Sequence, residues 1–175
     1  GPKNMGLSEE EIDTRVREAA RFAGLDESLL TQSPFDLSGG QKRRAAIAGI
    51  IAMRPDVLVL DEPAAGLDPR GREAIFSNIL QYQAECGNTV VIVSHSMEDM
   101  ARYCDHLIVM NEGRVWMQGD RDYVFSRSDR LTEIGLDIPQ VTKLMLMMKQ
   151  NGAPVDGGIY TVDQAVEHIL KIYKT

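Results

Sequence analysis

The stretch "PFDLSGGQKRRAAIAGIIAMRPDVLVLDEPAAGLDP", from Pro34 to Pro69, decides the fold class. Ser38 and the two glycines after it predict the start of a helix that runs to about Met53. The run from Asp56 to Asp61 is continuously apolar between its two aspartates, which predicts a short strand buried on both faces in a parallel sheet. A helix followed by a buried strand indicates an α/β layered fold.

The flanking sequence repeats this alternation. Ser8 and Glu11 have the spacing of a capping box, which predicts a helix that Gly24 ends. The spacing of apolar residues predicts a loop over 25–37, helices over 69–85 and 94–103, a second buried strand over 89–93, and a hairpin of strands 106–110 and 115–118 around Asn111-Glu112-Gly113. Beyond about residue 130, two amphipathic helices joined by a turn over 152–158 form a small carboxy-terminal appendage.

Composition narrows the function classes. The 175 residues carry a formal net charge of −7, which argues against a nucleic-acid partner. The longest apolar run, Ala45 to Met53, is shorter than the roughly 20 residues that span a bilayer. Cys86 and Cys104 lack metal-site spacing, so unpaired thiols in a reducing compartment are favoured over a disulfide.

The segment from Leu37 to Gln41, here called the LSGGQ turn, has the chemistry of an anion site. Ser38 is a natural N-cap, and Gly39 and Gly40 let an anion approach the backbone without a Cβ in the way. The helix start contributes unpaired amides and about half a positive charge, and Gln41 adds a side-chain amide. An ordinary glycine-rich helix start is the alternative.

Asp61 and Glu62, here called the acidic pair, end the predicted strand at the sheet edge where α/β folds bind ligands. In phosphoryl-transfer sites a first carboxylate holds Mg²⁺, often through water, and a second orients the attacking water. A strand that leaves the core at an acidic turn is the ordinary alternative. The usual phosphate-cradling loop, G-x-x-x-x-G-K-[ST], does not occur in the 175 residues.

The series Leu37 to Gln41, Val57 to Glu62, Gly66 to Asp68 and His95 resembles ABC-type ATPases, in the order signature, Walker B, D-loop and switch histidine. "GPKNMGLSEEEID" and "GLDIPQVTKLMLMMKQNG" narrow the resemblance to the A-type ATPase subunits of energy-coupling factor (ECF) transporters, the cobalt/nickel and vitamin importers. Two departures are Ala64, where Thr is usual, and Ser96, where Asp is usual.

The resemblance implies a role for each motif residue. Ser38, Gly39, Gly40 and Gln41 would cap the γ-phosphate of ATP held by a second subunit, Asp68 would contact that subunit, and Asp61 would hold Mg²⁺. Glu62 would be the general base and His95 would sense the γ-phosphate. In isolation, Asp68 is better explained as a helix cap and His95 as a structural residue.

The resemblance also implies an organisation and a setting. Residues 1–130 would be the carboxy-terminal part of a P-loop ABC ATPase domain, with the signature helical region over 1–55 and the sheet core over 56–130. Residues 131–175 would be a dimerisation appendage. The expected partners are a second ATPase subunit, a transmembrane coupling subunit and a substrate-capture membrane subunit, at the cytoplasmic face of a prokaryotic membrane. Without the P-loop strand we expect no ATP hydrolysis by this segment alone, an exposed apolar sheet edge, and either self-association or a disordered core.

Other readings and weaker signals remain. A soluble ABC ATPase of the translation or DNA-repair type, or a truncated non-enzymatic interaction module, would share the same motifs. Structural roles are expected for His106 and His168. Packing or subunit contact, rather than a cofactor site, is expected for Met145, Met147 and Met148. The basic cluster Lys42-Arg43-Arg44 is interpreted as a solvated helix face near a bound phosphate rather than as a nucleic-acid site.

Overall fold

The computed structural model describes residues 1–156 and 158–173. The chain divides into two compact units, Gly1–Val93 and Ser94–Thr175. The first unit contains α1 (Glu9–Phe22), α2 (Gly39–Ile51), β1 (Val57–Asp61), α3 (Pro69–Cys86) and β2 (Thr89–Val93), with 3-10 helices over Pro2–Met5 and Glu27–Thr31. The second contains α4 (Met97–Tyr103), β3 (His106–Asn111), β4 (Arg114–Asp120), α5 (Arg121–Phe125), α6 (Ser128–Glu133), α7 (Gln140–Gln150) and α8 (Val162–Tyr173).

The predicted α/β fold is confirmed, and most elements lie within a few residues of their expected positions. The Ser8–Glu11 capping box forms, and Ser38 is the N-cap of α2. The β3–β4 hairpin turns at Glu112 and Gly113, whose φ values of 49° and 73° suit a primed turn. The predicted loop over 25–37 is interrupted by the 3-10 helix Glu27–Thr31, which Asp26 caps through the Ser28 amide.

Helix α1 packs on α2 and α3 to form the core of the first unit. The rings of Phe22 and Tyr82 meet edge-on with centroids 5.2 Å apart, and Ile75 and Ile79 of α3 are buried beside them. Such aromatic pairs add about 0.5–1.5 kcal/mol beyond their buried area. Helices α1 to α3 therefore form one packed layer.

Strands β1 and β2 are parallel and in register, with Val59 opposite Val91. Leu58 and Leu60 are buried, but the opposite face exposes four valines. The prediction that both strands are buried on both faces is therefore wrong for this chain, because the burial of a second face depends on another layer of structure. The exposed valines are Val57, Val59, Val91 and Val93, at 53%, 58%, 41% and 51% exposure.

In the second unit, α7 and α8 enclose a small apolar core. Met145, Val155, Ile159 and Ala165 are buried there, and the Thr142 hydroxyl donates to the Ile159 carbonyl at 2.7 Å. Met145 is fully buried, as expected for packing, whereas Met147 is 59% exposed. The two predicted amphipathic helices are thus present. The first compact unit ends at Val93, and the expected functional boundary near residue 130 stays a prediction.

Both cysteines are free thiols. Burial raises the pKa of the Cys104 thiol to about 11, with Asp105 and Asp99 adding to the effect. That thiol is therefore protonated at neutral pH, and a role as a metal-binding or nucleophilic thiolate is disfavoured. Among the described residues, no helix has the length and apolar character needed to cross a membrane.

The exposed valines of β1 and β2 should drive association of this chain, because a contiguous apolar sheet face is poorly tolerated in water. Replacing Val59 and Val91 by threonine keeps the branched shape and adds a polar group. We expect sedimentation velocity to show self-association of the wild-type chain and a shift toward monomer in this double variant.

The matched control is Leu80→Gln, which removes an exposed apolar side chain from α3 instead. It should leave the association unchanged. A wild-type chain that is monomeric at every concentration and unfolds cooperatively would contradict the expectation.

Candidate functional site

The LSGGQ turn begins α2 with two reciprocal hydrogen bonds. The Ser38 hydroxyl accepts from the Gln41 amide at 3.3 Å, and the Gln41 side-chain oxygen accepts from the Ser38 amide at 2.8 Å. Of the four amides at a helix start that lack an intrahelical acceptor, the box satisfies these two. The remaining two belong to Gly39 and Gly40. The sequence predicted that the side-chain amide of Gln41 binds an anion. Its oxygen instead completes this capping box, whose S-x-x-Q spacing was visible in the sequence.

The electrostatics of α2 differ from those of α1, which has the same type of box. Glu9, Glu10 and Glu11 occupy the first turn of α1 and compensate its positive end. The first turn of α2 has no acidic residue. The helix dipole at Gly39 and Gly40 is thus not compensated within its own first turn, which favours an external anion.

The acidic pair lies where β1 ends. Asp61 is the last residue of β1 and is exposed, and Glu62 is half-buried. The Glu62 amide donates to the Val93 carbonyl at 2.8 Å, which extends the β1–β2 ladder by one bond. Glu62 has a φ of 47°, a left-handed conformation that costs a non-glycine residue about 1–3 kcal/mol and is concentrated at functional sites.

Asp68 caps α3, since its side chain accepts from the Gly71 amide at 2.6 Å. The capping role weighed from the sequence is therefore present. A subunit contact through the second carboxylate oxygen stays a prediction.

The basic cluster after the LSGGQ turn is not simply a solvated face. The Arg43 guanidinium donates to the Ala65 carbonyl, Arg44 donates to the Gly24 carbonyl at 3.0 Å, and Lys42 reaches the Phe35 carbonyl at 3.5 Å. Arg43 and Arg44 are half-buried. Sequence reasoning missed these contacts because their acceptors are backbone carbonyls, which carry no sequence signal, and those of Arg43 and Arg44 lie 22 and 20 residues away.

The start of α2 lies next to the turn that follows β1. A cavity of about 250 Å³ is lined by Gly39, Gly40, Arg43, Ala65, Gly66 and Leu67. The LSGGQ turn and the segment after the acidic pair thus share one surface of the first unit.

His95 belongs to the second unit, where it precedes the N-cap of α4. The Ser96 hydroxyl accepts from the Asp99 amide at 3.3 Å, and the Ser96 amide donates to the Ser94 hydroxyl at 3.2 Å. Ser96 is therefore a good N-cap, which accounts for its fit at a position where the family usually has Asp. His95 itself is exposed.

The chain is similar in sequence and in fold to known ATPase proteins. A family model described as "AAA domain, putative AbiEii toxin, Type IV TA system" matches residues 6–100. The solved structure of cbiO1 from Clostridium perfringens, described as part of the ABC transporter complex cbiONQ, has a TM-score of 0.66 at 42% identity and covers 83% of this chain and 58% of its own. A dimeric bacterial ABC transporter cassette has a TM-score of 0.59 at 33% identity, covering 66% and 49%. The chain belongs to this AAA domain family, and its fold is similar to these ABC transporter cassettes.

Among curated proteins, the chain is similar to energy-coupling factor transporter ATP-binding proteins EcfA2. That of Caldanaerobacter subterraneus is 48% identical over 98% of this chain and 60% of its own length. That of Clostridium perfringens is 50% identical over 99% and 61%. The resemblance to ECF ATPase subunits is thereby confirmed, and the chain spans about 60% of the length of these relatives.

The two capping boxes provide a matched pair of substitutions. In the full-length protein, Ser8→Ala and Ser38→Ala each remove one box, so each should lower the free energy of unfolding by about 1 kcal/mol in urea denaturation. In a full-length protein that also carries the P-loop, only Ser38→Ala should weaken ATP turnover. Equal turnover in the two variants would contradict an anion role for the LSGGQ turn.

Proposed function

We propose that the full-length protein is the ATP-binding subunit of an ECF-type ABC importer, which hydrolyses ATP to drive uptake of a vitamin or of a transition-metal ion such as cobalt. The observation that carries the proposal is the helix start at Ser38, where a capping box leaves the amides of Gly39 and Gly40 for an anion. Relatives at 48–50% identity supply the transporter context.

In this proposal each motif acts on phosphate. Gly39 and Gly40 bind the γ-phosphate of a nucleotide held by a second subunit, because the uncompensated helix start favours negative charge. Glu62 is the general base for the attacking water, and its position is fixed by the ladder bond to Val93. His95 contacts the γ-phosphate of the nucleotide held by its own subunit, on the side opposite the partner's LSGGQ turn.

Mg²⁺ fits the available donors. No group of three or more His, Cys, Asp or Glu side chains that could hold a metal occurs among residues 1–156 and 158–173. Magnesium in nucleotide sites needs few protein ligands, since it keeps several waters and is bound by one or two carboxylates plus phosphate oxygens. The exposed carboxylate of Asp61 suits that role, directly or through water.

The proposed partner at the nucleotide site is a second ATPase subunit, and the appendage adds a surface for it. Helix α8 presents an exposed apolar stripe beside the face that packs on α7. Asp163 and Glu167 flank its amino-terminal half, and Lys171 lies in its last turn. Lys171 is ion-paired with Glu167 of the same helix at 2.7 Å, so the charged residues beside the stripe carry a net negative charge. This supports pairing of two stripes between subunits over contact with anionic lipid. The stripe consists of Val162, Val166, Leu170 and Tyr173, at 67%, 51%, 44% and 64% exposure.

The remaining proposed partners are a transmembrane coupling subunit and a substrate-capture subunit, at the cytoplasmic face of the membrane. The relative cbiO1 is described as part of the complex cbiONQ, which supports an assembly of this kind. Co-purification of the full-length protein with a membrane coupling subunit would be expected. Full-length protein that remains soluble and alone when the neighbouring membrane genes are co-expressed would count against it.

Glu62→Gln in the full-length protein should slow ATP hydrolysis by about 10²–10⁴-fold, because an amide cannot accept the proton of the attacking water. ATP binding should persist, so the closed, nucleotide-loaded dimer should accumulate on gel filtration. Glu133→Gln, an exposed change in α6, is the control and should hydrolyse ATP normally. Unchanged turnover in Glu62→Gln would remove Glu62 from the mechanism.

The 175-residue chain by itself should not hydrolyse ATP, because a P-loop's backbone and lysine ordinarily hold the β- and γ-phosphates. Isothermal titration calorimetry with Mg-ATP should show binding by the full-length protein and far weaker binding by this chain. Equal affinities would contradict this part of the proposal.

A further inference from the structure

The segment Glu62–Leu67, here called the post-strand turn, is held by its own backbone. The Ala65 amide donates to the Glu62 carbonyl at 3.1 Å, and the Leu67 amide donates to the Ala64 carbonyl at 3.2 Å. Ala64 is buried. The conformation of Glu62, with its positive φ, is therefore maintained partly by the bond from Ala65.

Arg43 connects this turn to α2. Its guanidinium donates to the carbonyl of Ala65, the same residue whose amide bonds to Glu62. Arg43 lines the cavity shared by the two segments and is half-buried. A charged donor to a carbonyl in such a setting is among the stronger hydrogen bonds in proteins. A short path of hydrogen bonds thus runs from α2 to the backbone of Glu62.

The first turn of α2 also lies close to the post-strand turn, since Gly40 and Leu67 line the same cavity. A Cβ built on Gly40 would lie 3.7 Å from Leu67 Cδ2, an ordinary van der Waals distance. Gly40 is one of the two residues whose amides the capping box leaves for an anion.

We propose that Arg43 is a positioning residue that joins the LSGGQ turn to the post-strand turn and so holds Glu62 in its working conformation. This inference rests on the proposed function. In a dimer of that kind, the LSGGQ turn of a chain serves the partner's nucleotide and Glu62 serves its own. Arg43 then couples the two nucleotide sites through a bond within one chain.

Arg44 offers a closely matched comparison. It is the next residue on α2, it is half-buried, and it also donates to a backbone carbonyl, that of Gly24, at 3.0 Å. Gly24 lies just past α1, away from the post-strand turn in sequence. Arg44→Ala therefore removes a comparable charge and hydrogen bond without breaking the link to Ala65.

The experiment compares Arg43→Ala, Arg43→Lys and Arg44→Ala in the full-length protein. Hydrogen–deuterium exchange in peptides covering residues 62–67 should be about threefold faster or more in Arg43→Ala than in wild type, because the Ala65 and Leu67 amides open more often. Arg44→Ala should leave these peptides unchanged. Arg43→Lys should restore part of the protection, since an ammonium group can also donate to a carbonyl.

Steady-state ATP hydrolysis is the second measurement. Arg43→Ala should lower kcat about tenfold while changing KM less than about twofold, and it should reduce the Hill coefficient for ATP. Arg44→Ala should keep the wild-type Hill coefficient. If Arg43→Ala does not fold, Arg43→Lys replaces it, with smaller changes in the same direction.

The inference is overturned if exchange in residues 62–67 is the same in the Arg43 and Arg44 variants, or if both variants lower kcat and the Hill coefficient equally. The exchange result separates this failure from failure of the proposed function. A wild-type protein that does not hydrolyse ATP would refute the ATPase proposal, while faster exchange confined to the Arg43 variants would still establish the link to Ala65.

Discussion

The reciprocal hydrogen bonds between Ser38 and Gln41 are the interaction on which the functional interpretation depends. They fix the start of α2 and satisfy two of its amides, and they leave those of Gly39 and Gly40 directed away from the helix. With no acidic side chain in that first turn, the helix start keeps its positive end available. An anion such as a phosphate is the natural complement.

The same local chemistry serves a purely structural purpose elsewhere in the chain. The Ser8–Glu11 box begins α1 with glutamates throughout the first turn, so that helix start is already compensated. The contrast shows that a capping box alone does not define a site. Helix α2 differs in two respects: it begins with two glycines, and its first turn has no acidic residue. Its start also lies beside the turn that carries Glu62.

Local features of the fold were predictable from the sequence, and long-range ones were not. Ser8, Ser38 and the Asn111-Glu112-Gly113 turn act through neighbours within a few residues, so their patterns are visible in order along the chain. The open face of β1 and β2 was missed because an apolar run does not tell how many layers cover it. The contact of Arg43 was missed because its acceptor is the Ala65 carbonyl, and the positive φ of Glu62 was missed because a glutamate does not mark a left-handed conformation in the sequence.

The most direct test of the central claim is the structure of the full-length protein as a dimer loaded with a non-hydrolysable ATP analogue. The account predicts the amides of Gly39 and Gly40 within about 3 Å of the terminal phosphate of the nucleotide bound by the partner chain. A dimer in which the LSGGQ turn faces solvent, or packs away from that phosphate, would contradict it.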